Sequence, residues 1–204
     1  MMLVYDDRVV QLRGPPEAAK AFLEKLDLEK VELQALIHHK EHILEKYRLI
    51  VSHELVLMRL QRGDEKPLTK HRITQLDTSD ADQIAEIMSR ADPEFWGEVT
   101  KEQIAQGLDD VNCFGIKMNG EVVSICRMRI TEWSGHIATV ATRQNHRNKG
   151  YATSLVSDAV KRLVRERNTA MVYVLADNQS AIHVYSKVGF KLYRSYFFMR
   201  GEKR

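Results

Sequence analysis

The chain has 204 residues and only two cysteines, Cys113 and Cys126, too few for a disulfide framework. Both fall in apolar, strand-like runs, so they read as small buried hydrophobes in a reducing cytoplasm. No run of 18 apolar residues occurs, so no transmembrane helix and no membrane partner is expected. The opening stretch MMLVYDDRVV carries two acids and lacks both a basic leader and an apolar core. No secretion signal is therefore expected, and the expected location is cytoplasmic. The net charge of +3 is too small to argue for nucleic acid. The composition itself, 44% hydrophobic and 29% charged, is that of an ordinary soluble globular protein. The length suits one sizeable domain, or one domain with a small companion.

The clearest break is QRGDEKPLTK, Gln61 to Lys70, where Gly63, Asp64 and Pro67 interrupt any periodic pattern. It divides a small N-terminal α/β region, 1–62, from a longer region, 71–204, with 63–70 as the linker. In the longer region HRITQLD predicts a strand. SDADQIAEIMSR predicts a helix with Ser79 as N-cap, Asp82 as its capping partner, and Ile84, Ile87 and Met88 at helical spacing. DPEFWGEV is a loop, and Thr100 with Gln103 repeats the capping pattern before a short second helix. NCFGIKMNGEVVSICRMRI predicts a hairpin about Asn119-Gly120, the pair a type I′ turn prefers. A second turn near Ser134 and Gly135 leads into HIATVAT.

There the period changes. Ala152, Leu155, Val156, Ala159, Leu163 and Val164 form one helical stripe, and Lys161, Arg162, Arg165 and Arg167 crowd the end where the helix dipole favours cations. A buried strand MVYVLA follows, then a cap at Asp177-Asn178. The next short helix carries Ala181, Ile182, Val184, Tyr185 and Val188 inward, with Gly189 as its stop. FKLYRSYFFMR reads as strand, turn and strand. The order defines an α/β fold.

The N-terminal segments RVVQLRG, PPEAAKAFLEKL, KVELQALI, KEHILEKY and SHELVLMRL read strand, helix, strand, helix, strand, with Pro15 and Pro16 in a first helical turn. That is the order from HIATVAT to FFMR, and Tyr47 falls on Tyr185 when the two halves are laid together. A faint internal duplication and simple convergence both account for it. RGPPEAA replaces the basic turn in this copy, and its two prolines lack amide donors, so this copy is not expected to hold a phosphate. His38 and His42 share a metal-like spacing of four, but no third ligand accompanies them; they read as a solvated polar face, and no metal is expected.

The stretch that carries chemistry is TRQNHRNKGYATSL, Thr142 to Leu155. It gathers His146, Arg147 and Lys149 before Gly150, where a helix begins. A helix start leaves amide N–H groups unpaired and concentrates positive potential, which makes an anion site. Gly150 lets backbone approach a ligand that a side chain would exclude, and Ala152 keeps the next turn narrow.

With its strand, VATRQNHRNKGYATSL resembles the coenzyme A-binding motif of the GNAT superfamily of N-acetyltransferases, Arg/Gln-x-x-Gly-x-Gly/Ala. DNQSAIHVYSKVGF resembles that family's second motif through Asn178, Ala181, Tyr185, Gly189 and Phe190. The resemblance covers roughly His71 to Met199 and implies a mixed, mostly antiparallel sheet flanked by helices. The region before the linker looks like a degenerate GNAT-like half. By position, the resemblance implies that Arg147, Asn148, Lys149, Gly150, Tyr151, Ala152 and Thr153 form the pyrophosphate turn. Val140 and Thr142 would offer main-chain groups to the pantetheine arm, with Ala141 between them in the cofactor-binding set and the Val140 N–H also polarising the thioester carbonyl. Asn178 would contact the arm, and Tyr185 would protonate the leaving thiolate.

An alkyl amine has a pKa of about 10.4, so the site must take the neutral form or remove a proton. Many family members place a glutamate on the strand before the turn; HIATVAT has no carboxylate. His136, Glu132, Glu94 and Glu98 are the substitutes, and His136 is taken as the catalytic candidate beside Tyr185. Phe95 and Trp96 are expected to line the acceptor site. The reading is thus an acetyl-CoA-dependent N-acetyltransferase acting on a primary amine by direct transfer, with acetyl-CoA as co-substrate. A non-catalytic acetyl-CoA sensor or scaffold is the alternative, no nucleic-acid partner is expected, and a homodimer stays open.

Overall fold

A computed structural model describes residues 1–91, 93, 97–108 and 112–204. In chain order the elements are β1 (Met2–Tyr5), β2 (Val9–Leu12), α1 (Pro16–Lys25), β3 (Lys30–Leu36), α2 (Lys40–Lys46), β4 (Tyr47–Gln61), β5 (Thr74–Gln75) and α3 (Ala81–Ala91). Then come α4 (Lys101–Gly107), β6 (Asn112–Met118), β7 (Glu121–Ile130), β8 (Gly135–Thr142), α5 (Tyr151–Glu166), β9 (Thr169–Leu175), α6 (Gln179–Val188) and β10 (Lys191–Lys203). The chain forms two compact units. The first is Met1–Leu57 with Tyr173–Gln179 and Leu192–Arg204; the second is Met58–Val172 with Ser180–Lys191.

In the first unit β1 and β2 form a hairpin that turns through Asp6 and Asp7, both at positive φ. β1 has no local signal, because its residues past Met2 are exposed and show no alternation. Pro16 occupies the first position of α1, as its missing N–H and fixed φ allow. β3 lies parallel to β2, and β10 runs antiparallel to β3 from Tyr196 opposite Leu36 to Glu202 opposite Lys30. The core is Val10, Leu12, Leu23, Leu33, Ile43 and Tyr47, completed by Phe197 and Met199. FKLYRSYFFMR is therefore part of one continuous strand, since the extended backbone runs unbroken through Tyr193 and Arg194. His39 is fully buried against the Gly14 carbonyl at 3.0 Å, and burial, with His38 next, holds its pKa down.

In the second unit the strands run β9-β8-β7-β6-β5, all antiparallel neighbours except β8–β9. Asn119 and Gly120 turn the β6–β7 hairpin at φ 52° and 85°, the left-handed values that a type I′ turn requires. The Thr100–Gln103 capping box forms as expected. Ahead of α3 the cap is Asp77, not Ser79. Its carboxylate accepts the Ser79 N–H at 2.8 Å, and a 3-10 turn over Thr78–Asp80 precedes the helix. Ile84, Ile87 and Met88 face Val122, Ile125 and Ala141 in one core, while Leu155, Val156, Ala159 and Leu163 of α5 are buried against β7 and β8. Both cysteines are free and buried.

Gly189 ends α6 at φ 118°, and a β-carbon there would overlap the Asp64 carbonyl oxygen. Strain and overlap act together, so Gly189→Ala is expected to cost roughly 2–4 kcal/mol of stability, read as a lowered urea midpoint at unchanged slope.

Candidate functional site

After β8 the chain makes a 3-10 turn over Gln144–His146, passes through Asn148 at φ 63°, and enters α5 from Gly150 at φ 80°. Gly150 is the N-cap, and no side chain caps the helix. The Ser154 N–H reaches back to the Gly150 carbonyl at 3.0 Å. The N–H groups of Tyr151, Ala152 and Thr153 precede that first helical bond, at the positive end of a 16-residue helix. A β-carbon on Gly150 would meet only the His71 Nε2, at 3.8 Å. The glycine therefore serves the left-handed backbone and leaves the space over the helix start open. Arg147 and Lys149 stand exposed beside it, and the Arg147 Nε donates to the Thr142 carbonyl at 3.3 Å.

β8 prepares this turn in two ways. Opposite β7, Met128 pairs with Ile137 but Arg127 pairs with Thr139, so Ala138 is an extra, bulged residue. Opposite β9, pairing among the described residues joins Gly135–Ile137 to Ala170–Val172. Beyond Ile137, the edge of β8 that faces away from β7 carries the main-chain groups of Val140 and Thr142 outside this ladder, while Ala141 pairs toward β7 opposite Ile125. The buried Ser124 steadies that end, donating to the Ala141 carbonyl at 3.1 Å and lying 2.7 Å from the Thr142 hydroxyl.

Tyr185 on α6 is buried with its ring edge-on to Phe190, 5.7 Å between centroids. Burial, with Cys126 a lesser influence, pushes its hydroxyl pKa up, so the proton is retained through neutral pH. His136 on β8 is half-buried, with Nε2 at 2.7 Å from the Ser134 hydroxyl. Burial first, and the cross-strand Arg129 second, depress its pKa, so the ring is neutral at pH 7. Asn178 belongs to the first unit, where its N–H closes a turn onto the Leu175 carbonyl at 3.0 Å. Glu98 and Glu132 are exposed loop residues. Glu94, Phe95 and Trp96 lie outside the described residues. The second unit thus holds the glycine turn, the end of β8, His136 and Tyr185.

One residue of the turn escaped the sequence reading. The Arg143 guanidinium, 13% exposed, meets Glu86 of α3 at 2.8 Å and Glu121 of β7 at 3.1 Å, and its Nε donates to the Val122 carbonyl at 2.8 Å. It pins the start of the turn to both elements, and Arg143 holds the Glu86 carboxyl below the usual range. Beside the pin lies a cavity of about 560 Å³ lined by Glu86, Arg90, Thr142, Asn145 and Arg147. Nothing near Arg143 in sequence announces partners that far along the chain. Among the described residues no group of three metal-ligating side chains converges, and no helix is long and apolar enough to cross a membrane.

Residues 113–199 match the family model of FR47-like protein. No curated protein matches the sequence. Several solved structures share the fold. A GCN5-related N-acetyltransferase from Sphaerobacter thermophilus is 16% identical, with TM-score 0.66 over 99% of this chain and 75% of that one. An acetyltransferase of the GNAT family from Colwellia psychrerythraea is 12% identical, with TM-score 0.69 over 100% and 80%. A tandem GNAT protein from the clavulanic acid biosynthesis pathway is 12% identical, with TM-score 0.66 over 99% and 77%. The fold of this chain is that of the GNAT acetyltransferases, and the superfamily resemblance drawn from its two motifs is borne out.

Proposed function

We propose that the chain is an acetyl-CoA-dependent N-acetyltransferase that moves the acetyl group directly from the thioester to a primary amine. The observation that carries this reading is the uncapped start of α5 at a left-handed glycine, directly after a strand whose pairing to β9 stops at Ile137. Amides of the turn from Arg147 to Thr153, with the Arg147 and Lys149 charges, would hold the diphosphate. The β8 edge at Val140 and Thr142 would take the pantetheine arm as an added strand.

In the reaction the amine nitrogen attacks the thioester carbon and the carbon–sulfur bond breaks. The amine's surplus proton goes to His136, directly or through a water, and the Tyr185 hydroxyl proton goes to the departing sulfur. The Val140 N–H would stabilise the charge that develops on the carbonyl oxygen. Phe95 and Trp96 are assigned to the acceptor side.

A neutral, half-buried imidazole suits the role of base. His136→Gln is expected to lower kcat by roughly 10- to 100-fold and to abolish the acid limb of the pH profile. In the native enzyme that limb should lie below the ordinary imidazole value of 6.5, because the ring's pKa is depressed. The N-terminal unit is read as a degenerate GNAT-like half that holds no cofactor of its own. Its β2–β3 pairing runs to Leu12 opposite Ala35, and the Arg13 guanidinium donates to the Leu12 and Gln34 carbonyls, both at 2.9 Å.

The test is thiol release from acetyl-CoA over a panel of primary amines. Acceptor-dependent release supports the enzyme. Saturable cofactor binding with no release under any amine would favour the sensor or scaffold.

A further inference from the structure

The segment after β4 is laced along α5. Its Leu68 N–H donates to the Ser157 hydroxyl at 2.8 Å, which donates in turn to the Lys66 carbonyl at 3.0 Å, and its Lys70 N–H donates to the Ser154 hydroxyl at 3.1 Å. Ser154 and Ser157 stand three residues apart on one helix face, so they take alternate amides of an extended chain. The strap delivers His71 to the glycine turn. There Nε2 lies 3.1 Å from the Lys149 carbonyl oxygen, and the ring sits edge-on to Tyr151 with 4.6 Å between centroids. A carbonyl oxygen only accepts, so Nε2 carries the proton.

We infer that His71 is a positioning residue that aims the Gly150 amide at the cofactor's diphosphate; this rests on the proposed binding of acetyl-CoA at the turn. The Lys149 carbonyl and the Gly150 N–H belong to one planar trans peptide, so they point in opposite directions. Fixing the oxygen on His71 sends the N–H to the far side, toward the open mouth of α5. No described group accepts that N–H. A peptide next to glycine otherwise has wide rotational freedom, and an unanchored one would have to be ordered by the ligand at a cost in affinity. Tyr151, itself buried, fixes the ring plane that makes the anchor possible.

The experiment compares the full chain with His71→Ala and His71→Gln. Calorimetry is done with coenzyme A, and turnover is measured with acetyl-CoA and with S-acetylpantetheine, which lacks the diphosphate. His71→Ala is expected to weaken coenzyme A binding and raise KM for acetyl-CoA roughly tenfold, the scale of one hydrogen bond to a charged group. Its kcat should stay within about twofold and its kcat/KM for S-acetylpantetheine should be unchanged. His71→Gln, which keeps an N–H donor, should recover part of the loss. Unchanged coenzyme A affinity in His71→Ala overturns the inference. An equal loss with both acetyl donors overturns it too, because a merely structural residue would act that way. If the native chain itself gives no heat with coenzyme A at millimolar concentration, the proposed function fails, and that result is distinct from either.

Discussion

Gly150→Glu is expected to abolish acetyl-CoA binding while leaving the fold in place. The position sits at φ 80°, where a side chain costs about 1–2 kcal/mol, and nothing but the tip of His71 comes within 4 Å of the added carbon. The protein should therefore remain folded, with a modest loss in unfolding free energy. The new carboxylate, however, would stand over the free amides of Tyr151, Ala152 and Thr153. It would compete for their donors and repel a diphosphate across a few ångströms. A loss of at least 100-fold is expected, roughly 3 kcal/mol. Calorimetry should show one acetyl-CoA per native chain, since Pro15 and Pro16 remove two amide donors from the corresponding turn of the N-terminal half, and no heat for the variant at millimolar cofactor. Gly150→Asn, a residue that tolerates the left-handed backbone, should retain measurable binding. Equal affinity in Gly150→Glu and the native protein would show that the start of α5 is not the diphosphate site.

Tyr185→Phe carries the second large effect. The ring is buried against Phe190, so losing only the hydroxyl preserves the packing. What is lost is the proton proposed to meet the leaving sulfur. A fall in kcat of roughly 100- to 1,000-fold is expected, with KM for acetyl-CoA little changed. Because burial raises this hydroxyl's pKa above its usual value of 10.0, the native enzyme should hold its acid form across the neutral range. Loss of activity at high pH should set in only above that value. A Tyr185→Phe enzyme within threefold of the native kcat would show that the tyrosine is only a packing residue.

Local signals were legible in the sequence. Asn119-Gly120 turns as its dihedral preferences require, Thr100 and Gln103 form their reciprocal cap, and the apolar stripe from Leu155 to Val164 is buried. The glycine turn could be read because its chemistry is written in consecutive residues. What could not be read depends on partners far away along the chain. The bulge at Ala138 exists only relative to β7, and β10 runs unbroken from Lys191 to Lys203, its second half set by pairing with the distant β3. Arg143 reaches back to Glu86, and His71 reaches forward to Lys149. The Asp77 cap was missed for a different reason: Ser79 is an equally good capping residue, and only the 3-10 turn shows which of the two starts the element.

The pairing of β10 with β3 also has a consequence for how the polypeptide is made. Phe197 and Met199 lie in the same core as Leu33 and Tyr47, so the first unit cannot close its interior until synthesis has passed Met199. On the ribosome the glycine turn and α5 emerge before the earlier half has its last buried strand. Contacts that span nearly the whole sequence are slow to form. Clipping a dozen residues from the tail would therefore unravel the head.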